Sequence, residues 1–216
     1  VGGFVQYAYD RAGRLTRTTR YANVVPSSLW FGGNFSQILG AVGTSAKDRT
    51  EYSVYDGAGR VRFRLDAQLR PTEYVYNAAG QVIRTIEYAG SIAALSSYTL
   101  TSVRSQIAQL GLSTHADARV TRSVYDGAGR LNFTIDAVGG VTSLAYDNTT
   151  SQVVRTIRYA NAYTGTGDPT AAAMWAWTDG NQSAQNAITR SVYDKLGRLV
   201  YAIDAEGFIT EYQYDL

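Results

Sequence analysis

The chain has 216 residues, 45% of them apolar, with three prolines, 17 tyrosines, no cysteine and a formal net charge of +2. The missing cysteine excludes disulfides, a thiol nucleophile and thiolate metal sites, and suits either a cytosolic protein or one that must unfold to cross a membrane. Arginines recur singly instead of clustering, which argues against a nucleic-acid groove, and no stretch approaches the roughly 18 apolar residues of a membrane span, nor does a basic-then-apolar leader precede Val1.

From the N-terminus, Tyr7 and Tyr9 lead into Asp10-Arg11-Ala12-Gly13, followed by Arg14. In such a turn the Asp side chain accepts from the backbone two residues on and Gly supplies a positive φ, so a β-hairpin is predicted. An insert without alternation follows at about 24–50, holding Trp30-Phe31 and a weak helical signal over Asn34 to Leu39. The turn then recurs as Tyr55-Asp56 to Gly59 and Arg60. Val61, Phe63 and Leu65 alternate with Arg62 and Arg64, which predicts a half-buried strand with the arginines on the opposite face. After Asp66 the chain returns over Thr72 to Tyr76, and Tyr76-Asn77 opens a turn to Gly80 in which Gln81 replaces the arginine.

A second insert, about 91–120, carries Val103, Ile107 and Leu110 at helical spacing with Gly111 as a stop, predicting a helix over Thr101 to Leu110. The pattern resumes at Tyr125-Asp126 with Gly129 and Arg130, a strand with Leu131, Phe133 and Ile135 on one face and Asn132 and Thr134 on the other, and a return from Val141 to Tyr146. The turn after Tyr146, Asp147 to Ser151, is one residue longer and lacks glycine, with strain expected unless Asn148 takes the left-handed position. A third insert, about 162–189, contains Asp168-Pro169-Thr170 ahead of a short predicted helix with Trp175 and Trp177. The last copy runs Tyr193-Asp194 to Gly197 and Arg198, then Leu199, Tyr201 and Ile203, and returns from Ile209 to Tyr214.

The seven Tyr-Asp or Tyr-Asn anchors, Tyr9, Tyr55, Tyr76, Tyr125, Tyr146, Tyr193 and Tyr214, are separated by 46, 21, 49, 21, 47 and 21 residues. Two kinds of unit therefore alternate. Fixed-period self-similarity predicts an array in which each unit buries its apolar face with its neighbours' help. The chain reads as a single array over 1–216, entering at Val1 and leaving at Leu216 inside the pattern without terminal caps, as a piece of a longer array would.

Candidate chemistry is sparse. His115, the one histidine, lies in a polar stretch with no partner motif and reads as a loop residue, not a base. The turn aspartates lack the spacing of a calcium loop, so neither a metal nor a cofactor is expected. The anchor tyrosines read as stacking along the sheet, and Arg14, Arg60, Arg130 and Arg198 as pairing with turn aspartates or lying over tyrosine rings. Trp30, Trp175 and Trp177 stand outside the repeat. They either cover the sheet or anchor a ligand.

Tyr-x-Tyr-Asp-x-x-Gly-Arg-Leu at Tyr7 to Leu15, with its kin at Val54 to Val61, Val124 to Leu131 and Val192 to Leu199, resembles the Rhs or YD-repeat family of bacterial polymorphic toxins, toxin-complex shell components and teneurins. The resemblance implies an all-β, repetitive antiparallel hairpin array with short helical inserts, a segment of a spiral sheet or shell that often encloses a toxic C-terminal domain. The expected function is a non-enzymatic scaffold in a large secreted or bacterial cell-surface protein. Its expected partners are neighbouring repeats of the same parent chain, with an encapsulated toxin domain or a host-surface glycan beyond them. An adhesin-like module using the insert aromatics is the second reading, and a hydrolase a distant third.

Overall fold

A computed structural model describes residues 3–215; Val1, Gly2 and Leu216, the ends that read as uncapped, lie outside the described residues. The protein is mostly antiparallel β-structure. Its strands are β1 Val5–Tyr9, β2 Leu15–Arg20, β3 Arg49–Tyr55, β4 Val61–Leu65, β5 Pro71–Tyr76, β6 Val82–Glu87, β7 Arg119–Tyr125, β8 Leu131–Ile135, β9 Val141–Tyr146, β10 Val153–Arg158, β11 Ala187–Tyr193, β12 Leu199–Ile203 and β13 Ile209–Glu211, and its helices are α1 Phe35–Val42, α2 Leu100–Gln109 and α3 Ala171–Asp179. Every anchor from Tyr9 to Tyr193 closes a strand and opens a hairpin. The last returning strand is shorter than Ile209 to Tyr214, pairing with β12 only from Ile209 to Glu211.

The helices start where their caps are strongest. Asn34 accepts from Gln37 N, Thr99 from Ser102 N and Thr170 from Ala173 N, each satisfying a first-turn amide. Strand pairing begins earlier than the alternation shows, because Arg20 pairs with Arg49 and Arg158 with Ala187. The inserts therefore occupy 21–48, 88–118 and 159–186, a few residues N-terminal of 24–50, 91–120 and 162–189.

One sequence expectation is overturned by the register. In four anchor hairpins the first residue of the returning strand faces the tyrosine, the second is skipped and the third resumes pairing, so Thr16, Arg62, Asn132 and Val200 are β-bulge residues, and Val154 is another. A bulge breaks the period of two and turns consecutive side chains toward one face. Arg62 accordingly does not oppose Phe63. Its guanidinium bonds Glu73, the residue paired with Phe63, and Asn132 is buried beside Phe133.

The chain forms two compact units, Val1–Val75 with Ile86–Arg119 and Tyr76–Thr85 with Val120–Leu216. In the first, Ile92, Val103, Ile107 and Leu112 of the insert at 88–118 lie on Val54, Phe63 and Leu65. In the second, Met174 of α3 packs with Val124, Phe133, Ile135, Val141 and Ile157, with Tyr163 and Trp177 at the margin. The inserts at 88–118 and 159–186 each cover one sheet face, and in the first unit the opposite face carries residues such as Ser53, Arg64 and Thr72.

Candidate functional site

The anchor turns are built alike. In the first, Asp10 Oδ1 accepts from the amides of Ala12 and Arg14 while Oδ2 accepts from Arg14 Nε at 2.7 Å, and Gly13 sits at φ +75. The same three bonds recur at Asp56 with Arg60, Asp126 with Arg130 and Asp194 with Arg198. They hold the carboxyls of Asp10 and Asp194 below their ordinary pKa, the amide of the arginine four residues on being the largest cause. At Asp56 and Asp126 burial pushes upward most strongly, yet the combined amide and guanidinium bonds outweigh it and the net shift is also downward.

The longer turn after Tyr146 solves the same problem differently. Asp147 accepts from the amides of Thr149 and Thr150, and Ser151, not Asn148, takes the left-handed conformation at φ 57. A similar clasp of backbone amides closes the intervening turns at Asp66, where the second amide is that of Arg70, at Asp136 and at Asp204. In the turn at Asp66, Leu69 at φ 59 takes the place that Gly139 and Gly207 hold in the other two.

The turns are linked in a ladder. The hydroxyl of Tyr55 donates to Leu15 O at 2.8 Å, that of Tyr125 to Val82 O at 3.0 Å, Tyr146 to Leu131 O at 2.6 Å, Tyr193 to Val153 O at 3.1 Å and Tyr214 to Leu199 O at 2.7 Å. Each acceptor is the residue that follows the arginine or glutamine of the preceding anchor turn. Where that residue is arginine its guanidinium also lies over the ring: Arg14 over Tyr55, Arg130 over Tyr146 and Arg198 over Tyr214, each 4.7 Å from the centroid. Where it is glutamine, the side chain reaches the next turn's backbone, Gln81 Nε2 to Gly129 O and Gln152 Nε2 to Gly197 O, both at 2.7 Å.

Sequence reasoning placed arginine with aspartate or with tyrosine as alternatives, whereas one guanidinium does both. It missed the forward reach of the tyrosine hydroxyl and of the glutamines. The signal was present: arginine or glutamine always follows the turn, one position ahead of the acceptor carbonyl.

A second network lies on the covered face. Buried Glu73 accepts from Arg62 at 2.7 Å and from the Tyr88 hydroxyl at 2.6 Å. The equivalent positions in the next repeat are Asn132, Ser143 and Tyr159, where Ser143 and Tyr159 hydroxyls are 3.5 Å apart and Asn132 donates to Leu144 O. Charge thus stands at both positions or at neither, so no buried charge is left uncompensated, while Arg62 Nε and Asn132 Oδ1 stay buried without a hydrogen-bond partner.

The insert tryptophans occupy different settings. Trp177 packs edge-on to Tyr159 and Tyr163, and Trp175 meets Phe133 edge-on at 4.8 Å while staying partly exposed. Trp30 donates its indole N–H to Val25 O and, with Phe31 and Phe35, is exposed. His115 Nδ1 accepts from the Asp117 amide and lies 3.7 Å from its carboxylate. In the first unit a groove of about 630 Å³ is lined by Glu51, Arg64, Thr72, Tyr74 and Arg119 among others, a mixed-charge surface without a preferred ligand sign. Among the described residues no helix is long and apolar enough to cross a membrane, and no group of three metal-binding side chains converges.

No protein-family model and no curated protein matches the chain. Among solved structures, it is similar to a chain of the TcdB2-TccC3-Cdc42 crystal structure (14% identity, TM-score 0.57, 94% of this chain and 8% of that one) and to TcdB2-TccC3 (14%, 0.56, 93% and 8%). A chain of the Photorhabdus luminescens Tc holotoxin pore superposes less well, at 14% identity and TM-score 0.37 over 97% of this chain and 11% of that one. The likeness to the first two is one of fold. The present chain spans about 8% of their length.

Proposed function

We propose that the chain is a scaffold segment of a large Rhs/YD-repeat protein, secreted or displayed on a bacterial surface, whose repeats build a β-wall able to enclose a toxin domain. The observation that carries this reading is the ladder. Tyrosine hydroxyl, arginine and aspartate are engaged with backbone and with one another, an arrangement that serves stiffness and register and supports a structural role for the motif. The likeness in fold to chains of TcdB2-TccC3 supports it, as does the short span this chain covers of them. The partners are neighbouring repeats, and the segment is non-enzymatic. Electron microscopy of the parent protein tests the proposal: a continuous wall in which this segment is one stretch is expected, and separate globular beads would refute it. Exposed Trp30, Phe31 and Phe35 favour a second reading, glycan or surface-protein binding by the first insert. Loss of glycan-array signal on Trp30→Ala with the fold unchanged would put that reading first.

A further inference from the structure

Three faces of successive repeats can be compared position by position, and one differs. Val124, Phe133 and Val141 are 5%, 0% and 2% exposed beneath the insert at 159–186. Their equivalents Val192, Tyr201 and Ile209 are 45%, 40% and 66% exposed, although Val192 pairs with Tyr201 as Val124 pairs with Phe133. Beside this bare apolar surface Arg155 and Arg190 stand directly opposite each other on adjacent strands. In the preceding repeat the matching residues, Arg84 in Val82-Ile83-Arg84-Thr85 and Arg122 in Arg122-Ser123-Val124-Tyr125, both face Asp168 of the covering insert, at 3.7 and 4.0 Å, and Arg122 also donates to Thr166 O. Arg155 and Arg190 have no acidic partner within salt-bridge distance among the described residues. Two like charges side by side next to apolar surface are unfavourable without a counter-charge.

We infer that the face formed by β10 to β13 is a docking surface for a further helix-bearing insert of the same class as 159–186, delivered by a following repeat, with a carboxylate at the Asp168 position bridging Arg155 and Arg190 and apolar helix residues covering Val192, Tyr201 and Ile209. The inference rests on the repeat reading above. It goes further by naming the surface, the occupant's secondary structure and the charge it must carry.

The natural absence of cysteine makes a thiol-labelling test clean. The chain carrying Val192→Cys is compared with a version extended after Asp215 by a copy of residues 148–186, which follow Asp147 in the same way. The expected result is that labelling of Val192→Cys slows at least about tenfold on extension, as burial beneath an ordered element requires. Labelling of Thr189→Cys, which pairs with Thr156 on the side of the sheet away from Arg190 and Val192, should stay unchanged. Asp168→Lys in the appended copy should return most of the labelling, and adding Arg190→Glu should slow it again. If the appended strand gains amide-exchange protection while Val192→Cys labels as fast as before, the array stands and this inference falls. Should the appended segment stay unprotected throughout, the repeat reading falls with it. Protection of the unextended chain that grows with its concentration would assign the face to a second copy and overturn the inference.

Discussion

Ser151 and Gly13 occupy the same left-handed backbone region, and only one is suited to it. A side chain there costs about 1 kcal/mol through contact of Cβ with the backbone. Ser151→Gly is therefore expected to raise stability by about 1 kcal/mol, and Gly13→Ala, whose added Cβ would meet nothing within 4 Å, to lower it by a similar amount through conformation alone. Urea titrations with unchanged slope check both. The clasped aspartates give a second expectation. Because Asp10 and Asp194 titrate lower in the folded chain, their contribution is complete above the unfolded value of about 4 and is lost as pH falls through the depressed folded value. The urea midpoint should hold steady from about pH 6 to 4 and drop below that, and Asp194→Asn should flatten that drop. An equally steep decline in the variant would show that other carboxyls govern acid unfolding.

At the level of the hairpin, a tyrosine ring, the guanidinium above it and the carbonyl it bonds form one device repeated along the strands. Tyr146→Phe removes a hydroxyl bonded at 2.6 Å to Leu131 O and should cost about 1 kcal/mol, with the carbonyl left partly unsatisfied. A double-mutant cycle of Arg130→Met with Tyr146→Leu should return a coupling of about 0.5–1 kcal/mol, the range for a cation over a ring near the surface; zero coupling would mean that the 4.7 Å approach contributes nothing. The covered face makes a sharper demand. Glu73→Ser takes their shared buried acceptor from Arg62 and the Tyr88 hydroxyl and should cost about 3 kcal/mol, whereas adding Arg62→Asn removes the uncompensated charge, as in the uncharged set Asn132, Ser143 and Tyr159, and should recover much of it. In that double variant the polar groups would stand as they do at Asn132, which donates to Leu144 O, and at Ser143, which lies by the Tyr159 hydroxyl. These networks mark the boundary of what the sequence made legible. Hairpins, turn aspartates and all three helices could be read from spacing and caps, since those signals are local. The bulge at Arg62 could not, because alternation of Val61, Phe63 and Leu65 with arginine is what a regular strand shows. Only the partner strand reveals the skipped residue.

Across the molecule, burial follows from which insert lies over which strands, and that is a property of repeats in sequence instead of one central core. Tryptophan distribution allows the idea to be measured: Trp30 lies in the first unit and Trp175 and Trp177 in the second, where both report on the surface over Phe133 and Tyr159. Phe133 is wholly buried, so Phe133→Ala removes its contacts with Val124, Ile135, Val141 and Met174 and opens a cavity beneath Trp175. Such a truncation costs about 3–5 kcal/mol, a large share of what a domain of this size possesses. In a chain with Trp30→Phe, tryptophan emission reports the second unit alone, and its denaturation midpoint should fall sharply on Phe133→Ala. Tyr201→Ala, at the equivalent place on the uncovered face, should shift the same signal by well under 1 kcal/mol, since it already meets solvent. The contrast between two residues at one repeat position isolates the covering insert as the source of the difference. Equal losses at Phe133 and Tyr201 would show that the strands hold these rings on their own and that the inserts add no burial energy.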